Sequence, residues 1–195
     1  MGEFVIVRAL LGLVILILPL LNGQAQAATF AEKNFAQLVA EADQIFIGTV
    51  QSLQSRKLPS GAIVTDVRFS APQVIKGDHT GADIVLLVLG GEVEGARLEI
   101  PGLPQFQRET RYLVFSQGNT KSMFPVVGGP AGFFQITADP RGLSPVVASS
   151  DGTPLESEIA AQVLDSLSPS LRSAAQSPIT LELILAAIRA KLGLQ

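Results

Sequence analysis

The chain has 195 residues, with 14 Lys and Arg, 17 Asp and Glu, one His, no Cys and a formal net charge of −3. A hydrophobic fraction of 47% excludes a disordered chain, and 18 Gly with 12 Pro exclude an all-helical bundle. Lack of a thiol excludes a disulfide scaffold, a thiolate metal site, a Cys nucleophile and a lipoprotein anchor, and the acidic balance argues against nucleic acid, whose phosphates need clustered Lys and Arg.

Residues 9–21 (ALLGLVILILPLL) form an unbroken apolar run, shorter than the roughly 20 residues that cross a bilayer. The run follows Arg8 and leads to Ala25-Gln26-Ala27, a small-x-small cleavage pattern. Together these read as a secretory signal peptide over residues 1–27, cleaved after Ala27, with the product secreted or periplasmic. The membrane is then met only in transit; an uncleaved anchor is the alternative.

Thr29 and Glu32 have capping-box spacing, and Phe35, Leu38, Val39 and Ala42 follow at helical spacing, so a helix is expected over residues 30–42. At Ile45 the period changes. Residues 45–50 are β-branched and aromatic, with Gly48 marking a bulge or close packing. Ile63, Thr65, Val67 and Phe69 alternate with polar neighbours, a long strand with one buried face, and Pro72 should bend it. Residues 84–89 (IVLLVL) read as a strand buried on both faces, and residues 96–100 as a shorter one. Further strands are expected at residues 111–116, 133–137 and 143–148, the last two joined by the turn Asp139-Pro140-Arg141-Gly142. Beyond Ser149, Thr153-Pro154-x-Glu156 is a second capping box before a helix. Residues 168–177 read as a Ser/Ala/Pro linker. Pro178 can open a last helix, with the stripe Leu181, Ile184, Leu185, Ile188 and Leu192 and Gly193 as its stop.

The fold class implied is mainly β with flanking helices: one N-terminal helix, a small antiparallel, partly closed barrel, and two C-terminal helices. The domains are a signal peptide (1–27), a β-barrel domain with its N-terminal helix (28–150) and a helical appendage (151–195).

Two stretches carry a resemblance. One is Ala42-Asp43-Gln44-Ile45-Phe46-Ile47-Gly48-Thr49-Val50, followed by Val74-Ile75-Lys76-Gly77. The other is Gly90-Gly91-Glu92, then Pro101 to Phe106, then Tyr112-Leu113-Val114-Phe115. In this order they resemble poorly characterised secreted bacterial proteins and netrin-like domains, the oligomer-binding-like barrels that include tissue inhibitors of metalloproteases. The resemblance implies an oligomer-binding-like barrel and an extracellular protease as one partner. The inhibitors act through a Cys-rich ridge, so their inhibitory residues do not carry over to a chain without Cys.

No G-x-S-x-G, H-E-x-x-H, S-x-x-K or G-x-G-x-x-G occurs, so the common hydrolase and dinucleotide motifs are missing. Catalytic, cofactor-binding and metal residues are therefore assigned to none. His79 reads as a solvated loop histidine. The segment from Gly90 to Arg97 has G-x-x-x-x-G spacing without the Lys and Ser/Thr that phosphates need; it reads as an inter-strand loop, with a cation- or partner-contacting role for Glu92 and Glu94 as the functional alternative. The Gly128 to Gly132 run reads as a turn, with a ligand-cradling loop as the alternative. The candidate contact surface is Glu92, Glu94, Pro101, Pro104, Phe106, Arg108 and Arg111, because irregular Pro/Gly segments and Arg beside aromatics suit interfaces. The reading is a secreted, non-catalytic binding module for a protein partner. The alternatives are a hydrolase using a carboxylate pair, and a structural envelope-associated protein held by its C-terminal helices.

Overall fold

A computed structural model describes residues 30–31, 33–103, 105–119, 124–139, 142, 144–150, 152–153, 155, 158–174 and 178–194. The leader with its cleavage site, both residues of the first capping box, Pro104, and Pro154 with Glu156 lie outside the described residues. The elements in chain order are α1 (Phe35–Glu41), β1 (Gln44–Lys57), β2 (Ile63–Lys76), β3 (Asp83–Leu89), β4 (Gly91–Val93), β5 (Ala96–Leu98), β6 (Arg111–Ser116), a 3-10 turn (Gly129–Gly132), β7 (Phe133–Thr137), β8 (Val146–Ala148), α2 (Glu158–Asp165), α3 (Pro169–Ala174) and α4 (Leu181–Leu192).

Helix α1 starts later than expected because a better cap lies downstream. The Asn34 carboxamide oxygen accepts the Gln37 N–H, and the Gln37 side-chain oxygen accepts the Asn34 N–H, each at 2.9 Å. Phe30, ahead of the helix, packs instead on Phe124 with ring centroids 6.0 Å apart.

Strands β1 and β2 make one long antiparallel hairpin, and the main sheet has the order β3-β2-β1-β6-β7-β8. Every pairing in it is antiparallel. Three register shifts interrupt the β1–β2 ladder. One falls where Ile47 faces Gln73 and Thr49 faces Ser70; there two β2 residues, Pro72, as expected, and Ala71 at φ 44, stand against Gly48 alone. Bulges of this kind increase local twist and bend a strand pair. The effect is visible in Asn119, just beyond β6, which reaches the outer edge of β3 although two strands separate them in the sheet. Its side chain accepts the Leu87 N–H and donates to the Val85 carbonyl, both at 2.8 Å. The sheet is therefore curled. No ladder closes it among the described residues: β3 pairs only with β2, and one side-chain amide spans the gap.

Alternation along the strands builds two cores. Ile45, Ile47, Leu113, Phe115, Phe134 and Val147 face the helices, joining Phe35 and Leu38 of α1, Val163 of α2, and Ile184 and Ile188 of α4. Phe46, Val67, Phe69, Leu86, Val114 and Phe133 face into the curl. The strands buried on both faces are thus the central β1 and β6. Strand β3, expected to be doubly buried, is an edge strand in which only Ile84 and Leu86 are fully covered.

The C-terminal helices share the first core. The Phe35 N–H donates to the Gln162 side chain at 2.6 Å, tying α1 to α2. The expected linker contains α3, whose Arg172 guanidinium donates to the carbonyls of Leu164, Asp165 and Leu167 and so caps the end of α2. Helix α4 is capped by Thr180 and stopped by Gly193 at φ 69. The chain just before α4 bridges to Val146 through Thr180, covering the β8 edge. Among the described residues no helix is long and apolar enough to cross a membrane.

The motif residues singled out in the sequence serve this frame. The Lys76 ammonium donates to the Val39 and Ala40 carbonyls at 2.8 and 3.0 Å, closing the C-terminus of α1. Gly77, at φ +85, passes so close to Asp43 that a Cβ would stand 2.5 Å from its carbonyl oxygen. At Gly48 a Cβ would stand 2.9 Å from that of Phe69.

Candidate functional site

After β3 the chain turns back across the open end of the curl. Gly90 and Gly91 make this turn at φ 108 and 131, a region open to glycine and strained for other residues. A Cβ on Gly91 would collide with the Ser55 and Thr65 hydroxyls. Those hydroxyls form a directed chain. Thr65 donates to the Gly90 carbonyl at 2.7 Å. Ser55 lies 3.0 Å from the Thr65 hydroxyl and accepts the Glu92 N–H at 3.4 Å. With the Thr65 proton committed to Gly90, Ser55 donates to Thr65. Strands β4 and β5 then form a two-residue hairpin with Glu94 and Gly95 at positive φ (51 and 79), as such tight hairpins require. A turn from Ile100 to Leu103 follows, with Pro101 and then Gly102 at φ 83.

Between this ribbon, the strap behind it (residues 99–103 and 105–107) and the sheet lies a cleft of about 320 Å³. Strands β1 to β3 supply Leu53, Val67 and Val88; the ribbon and strap supply Leu98, Ile100, Leu103 and Phe106. The polar lining is Ser55, Thr65, Gln105, Glu92, Arg97 and Glu99, with the Gly90 and Gly91 backbone. Arg97 pairs with Glu99 at 3.2 Å, with both side chains about 60% exposed (61% and 60%); in the β4–β5 register Arg97 also faces Glu92. An apolar body with a few polar groups at the mouth is the usual composition of a binding cleft.

Of the residues predicted from sequence, Glu92 lines the cleft and Glu94 sits exposed at the hairpin tip. Pro101 is exposed on the strap turn, and Pro104 lies outside the described residues. Arg108 and Arg111 are exposed around the turn leading into β6, which pairs with β1 through Glu109 N–H to the Val50 carbonyl. Phe106 lies at the inner wall of the cleft and not on an exposed surface. It is 5% exposed and stacks against Phe69, Tyr112 and Phe133 at centroid distances of 5.4, 5.3 and 4.7 Å. The sequence groups it with Arg108 and Arg111 in one contact patch, and no periodic pattern marks a strap residue as core. The cleft residues Leu53, Val67, Val88, Arg97 and Glu99 were missed as a group, because three strands and the ribbon must fold before they meet.

Other sequence candidates have structural roles. The segment from Gly90 to Arg97, read as a loop, is the turn and hairpin just described. The Gly129–Gly132 turn is packed down: a Cβ on Gly129 would strike the Phe30 ring, and one on Gly132 the Val127 carbonyl. His79 is half-buried rather than solvated, its Nε2 covered and without a hydrogen-bond partner among the described residues. Among the described residues no group of three His, Asp or Glu is arranged to hold a metal ion.

Tyr112, the single tyrosine, is buried in the core that faces into the curl, against Phe106. Burial pushes its hydroxyl pKa above the usual value, partly opposed by the Gln107 N–H, which donates to it at 3.1 Å. A raised folded-state pKa stabilises the native chain fully below the unfolded value of about 10, and that contribution is lost as pH rises through the folded value. Stability should therefore fall above about pH 10 with a slope that Tyr112→Phe removes. With one Tyr and no Trp, the phenolate absorbance band reports this group alone; a titration midpoint at or below that of free tyrosine would contradict the burial argument.

No family model, curated protein or solved structure matches the chain.

Proposed function

We propose that the chain is an exported, non-catalytic binding module that engages a protein partner at the open end of its curled sheet. The observation that carries this reading is the 320 Å³ cleft, whose apolar interior is framed by the segment from Glu92 to Phe106. Mouths of curled and closed β-sheets are a common place for such sites. Export rests on the leader pattern of residues 1–27. The motif order shared with netrin-like domains supports reading the curl as an oligomer-binding-like barrel left open beyond β3, and an extracellular protease as one partner class. The Ser55 hydroxyl supports binding over nucleophilic chemistry, since the side chain it meets is the Thr65 hydroxyl, which is not a base that can take its proton.

A hydrolytic reading has one observation in its favour: Glu92 and Glu99 both line the cleft. Glycoside hydrolysis needs one carboxyl kept protonated, normally by an apolar surround. The Glu99 side chain is 60% exposed and ion-paired to Arg97, which suits a solvated rim better.

The test compares capture from the native secretome by the wild-type chain and by Val88→Trp, which fills the cleft from the β3 side, with Leu98→Trp filling it from the ribbon side. A partner held at micromolar concentration by the wild type and lost by a filled variant with an unchanged melting curve supports the reading. Equal capture by wild type and folded filled variants, or no capture by either, overturns it.

A further inference from the structure

We infer that the cleft takes an extended, basic peptide segment, which adds as a strand to the outer edge of β5 and places an apolar side chain inside. This inference rests on the binding-module reading above.

The first argument is the backbone. In the β4–β5 hairpin, Val93 faces Ala96 and Gly91 faces Leu98 as the hydrogen-bonded pairs. Arg97 lies between them, so its N–H and C=O point away from β4. Neither finds a hydrogen bond among the described residues. The equivalent group on the other side of the ribbon is satisfied, since the Glu92 N–H reaches Ser55. The remaining edges are occupied: Asn119 clasps β3, and the chain around Thr180 covers β8. An unpaired edge beside a side-chain pocket is the arrangement by which extended peptides are bound, with main-chain bonds giving affinity and the pocket giving selectivity.

The second argument is charge. Glu92 faces Arg97 across the ribbon, Glu99 engages Arg97 in an ion pair, and Glu94 sits exposed at the hairpin tip. Glu92 and Glu94 have no ion-pair partner among the described residues. The rim is thus net negative and favours Lys or Arg on either side of the inserted residue. The cleft lining is apolar where that residue enters, at Leu53, Val67 and Val88.

The test is an NMR titration of the full chain with three blocked peptides: acetyl-Lys-Val-Leu-Val-Lys-amide, its Glu-flanked counterpart, and the Lys-flanked peptide with N-methylated backbone. Hexanol serves as a separate probe of the cleft. The Lys-flanked peptide should shift the Arg97 amide and the Leu53 and Val88 methyls in one saturable process. The Glu-flanked peptide should bind about tenfold more weakly at low salt, with the difference shrinking as salt rises. The methylated peptide should lose the Arg97 shift. Glu92→Lys with Glu94→Lys should invert the order of the two charged peptides. If hexanol shifts the cleft methyls but no peptide moves Arg97, strand addition is overturned while the cleft reading stands. If neither hexanol nor any peptide touches the cleft, both fall. An unchanged peptide order in the charge-reversed chain overturns the basic preference.

Discussion

Replacing Phe106 with Ala should destabilise the chain by about 3–5 kcal/mol, the usual cost of emptying a buried aromatic site. The ring is 5% exposed and meets Phe69 and Tyr112 edge to face, at 90° and 89°. Edge-to-face contacts add to the apolar burial because the positive edge of one ring meets the negative face of the other. Phe69 in turn stacks on Phe46 at 5.1 Å, so the cavity would open in the middle of an aromatic chain that cannot easily collapse. A denaturant titration gives the answer directly. The midpoint should fall with an unchanged slope, and Phe106→Leu should lose less than half as much. A surface contact residue would behave differently: stability would move by about 0.5 kcal/mol or less, and only partner binding would suffer. That second outcome would place Phe106 at the interface and leave the strap without its buried anchor.

Gly77→Ala should cost about 2 kcal/mol or more, from two sources. Gly77 lies at φ +85, where an L side chain is strained, and the added Cβ would sit 2.5 Å from the Asp43 carbonyl oxygen. The nearest atoms, the Asp43 oxygen and the Gln44 Cα, are backbone, so no flexible side-chain end is there to yield. Gly61 is the matched control, because it has nearly the same φ (+88) and nothing within 4 Å. Gly61→Ala carries the conformational cost alone, so the difference between the two melting shifts isolates the collision. Equal shifts would show that the clasp between the β2 end and the start of β1 is loose. Lys76 makes the same joint from the other side, through the Val39 and Ala40 carbonyls.

These two sites show what was legible and what was not. The alternation of Ile45, Phe46 and Ile47 marked a strand, since side chains point to opposite faces with a period of two. Gly48 and Pro72 marked interruptions, and the structure has a register shift between their neighbours. The stripe from Leu181 to Ile188 marked a helix face, and that face is buried. Three readings failed for want of long-range information. An apolar run such as residues 84–89 looks the same whether its neighbours cover one face or two, and its place at the sheet edge is decided by β6 pairing with β1. The Ser/Ala-rich stretch 168–177 has weak helical signal, and α3 forms where Arg172 can reach the carbonyls ending α2. Phe106 lies in a strap without periodicity, so nothing local reveals which way its ring turns.

The amino-acid order alone determined the local states: where strands alternate, where glycine is demanded by backbone geometry, where a helix presents one apolar stripe, and that no sulfur holds the chain together. These are short-range matters of side-chain shape, backbone sterics and spacing, which a linear pattern records. Tertiary structure alone decided which strand became an edge, how far the bulged hairpin coiled, and that Leu53, Val67, Val88 and the β4–β5 ribbon enclose a common space. Those outcomes depend on pairings between residues tens of positions apart. The free energy of a pairing lies in the contact and not in either segment.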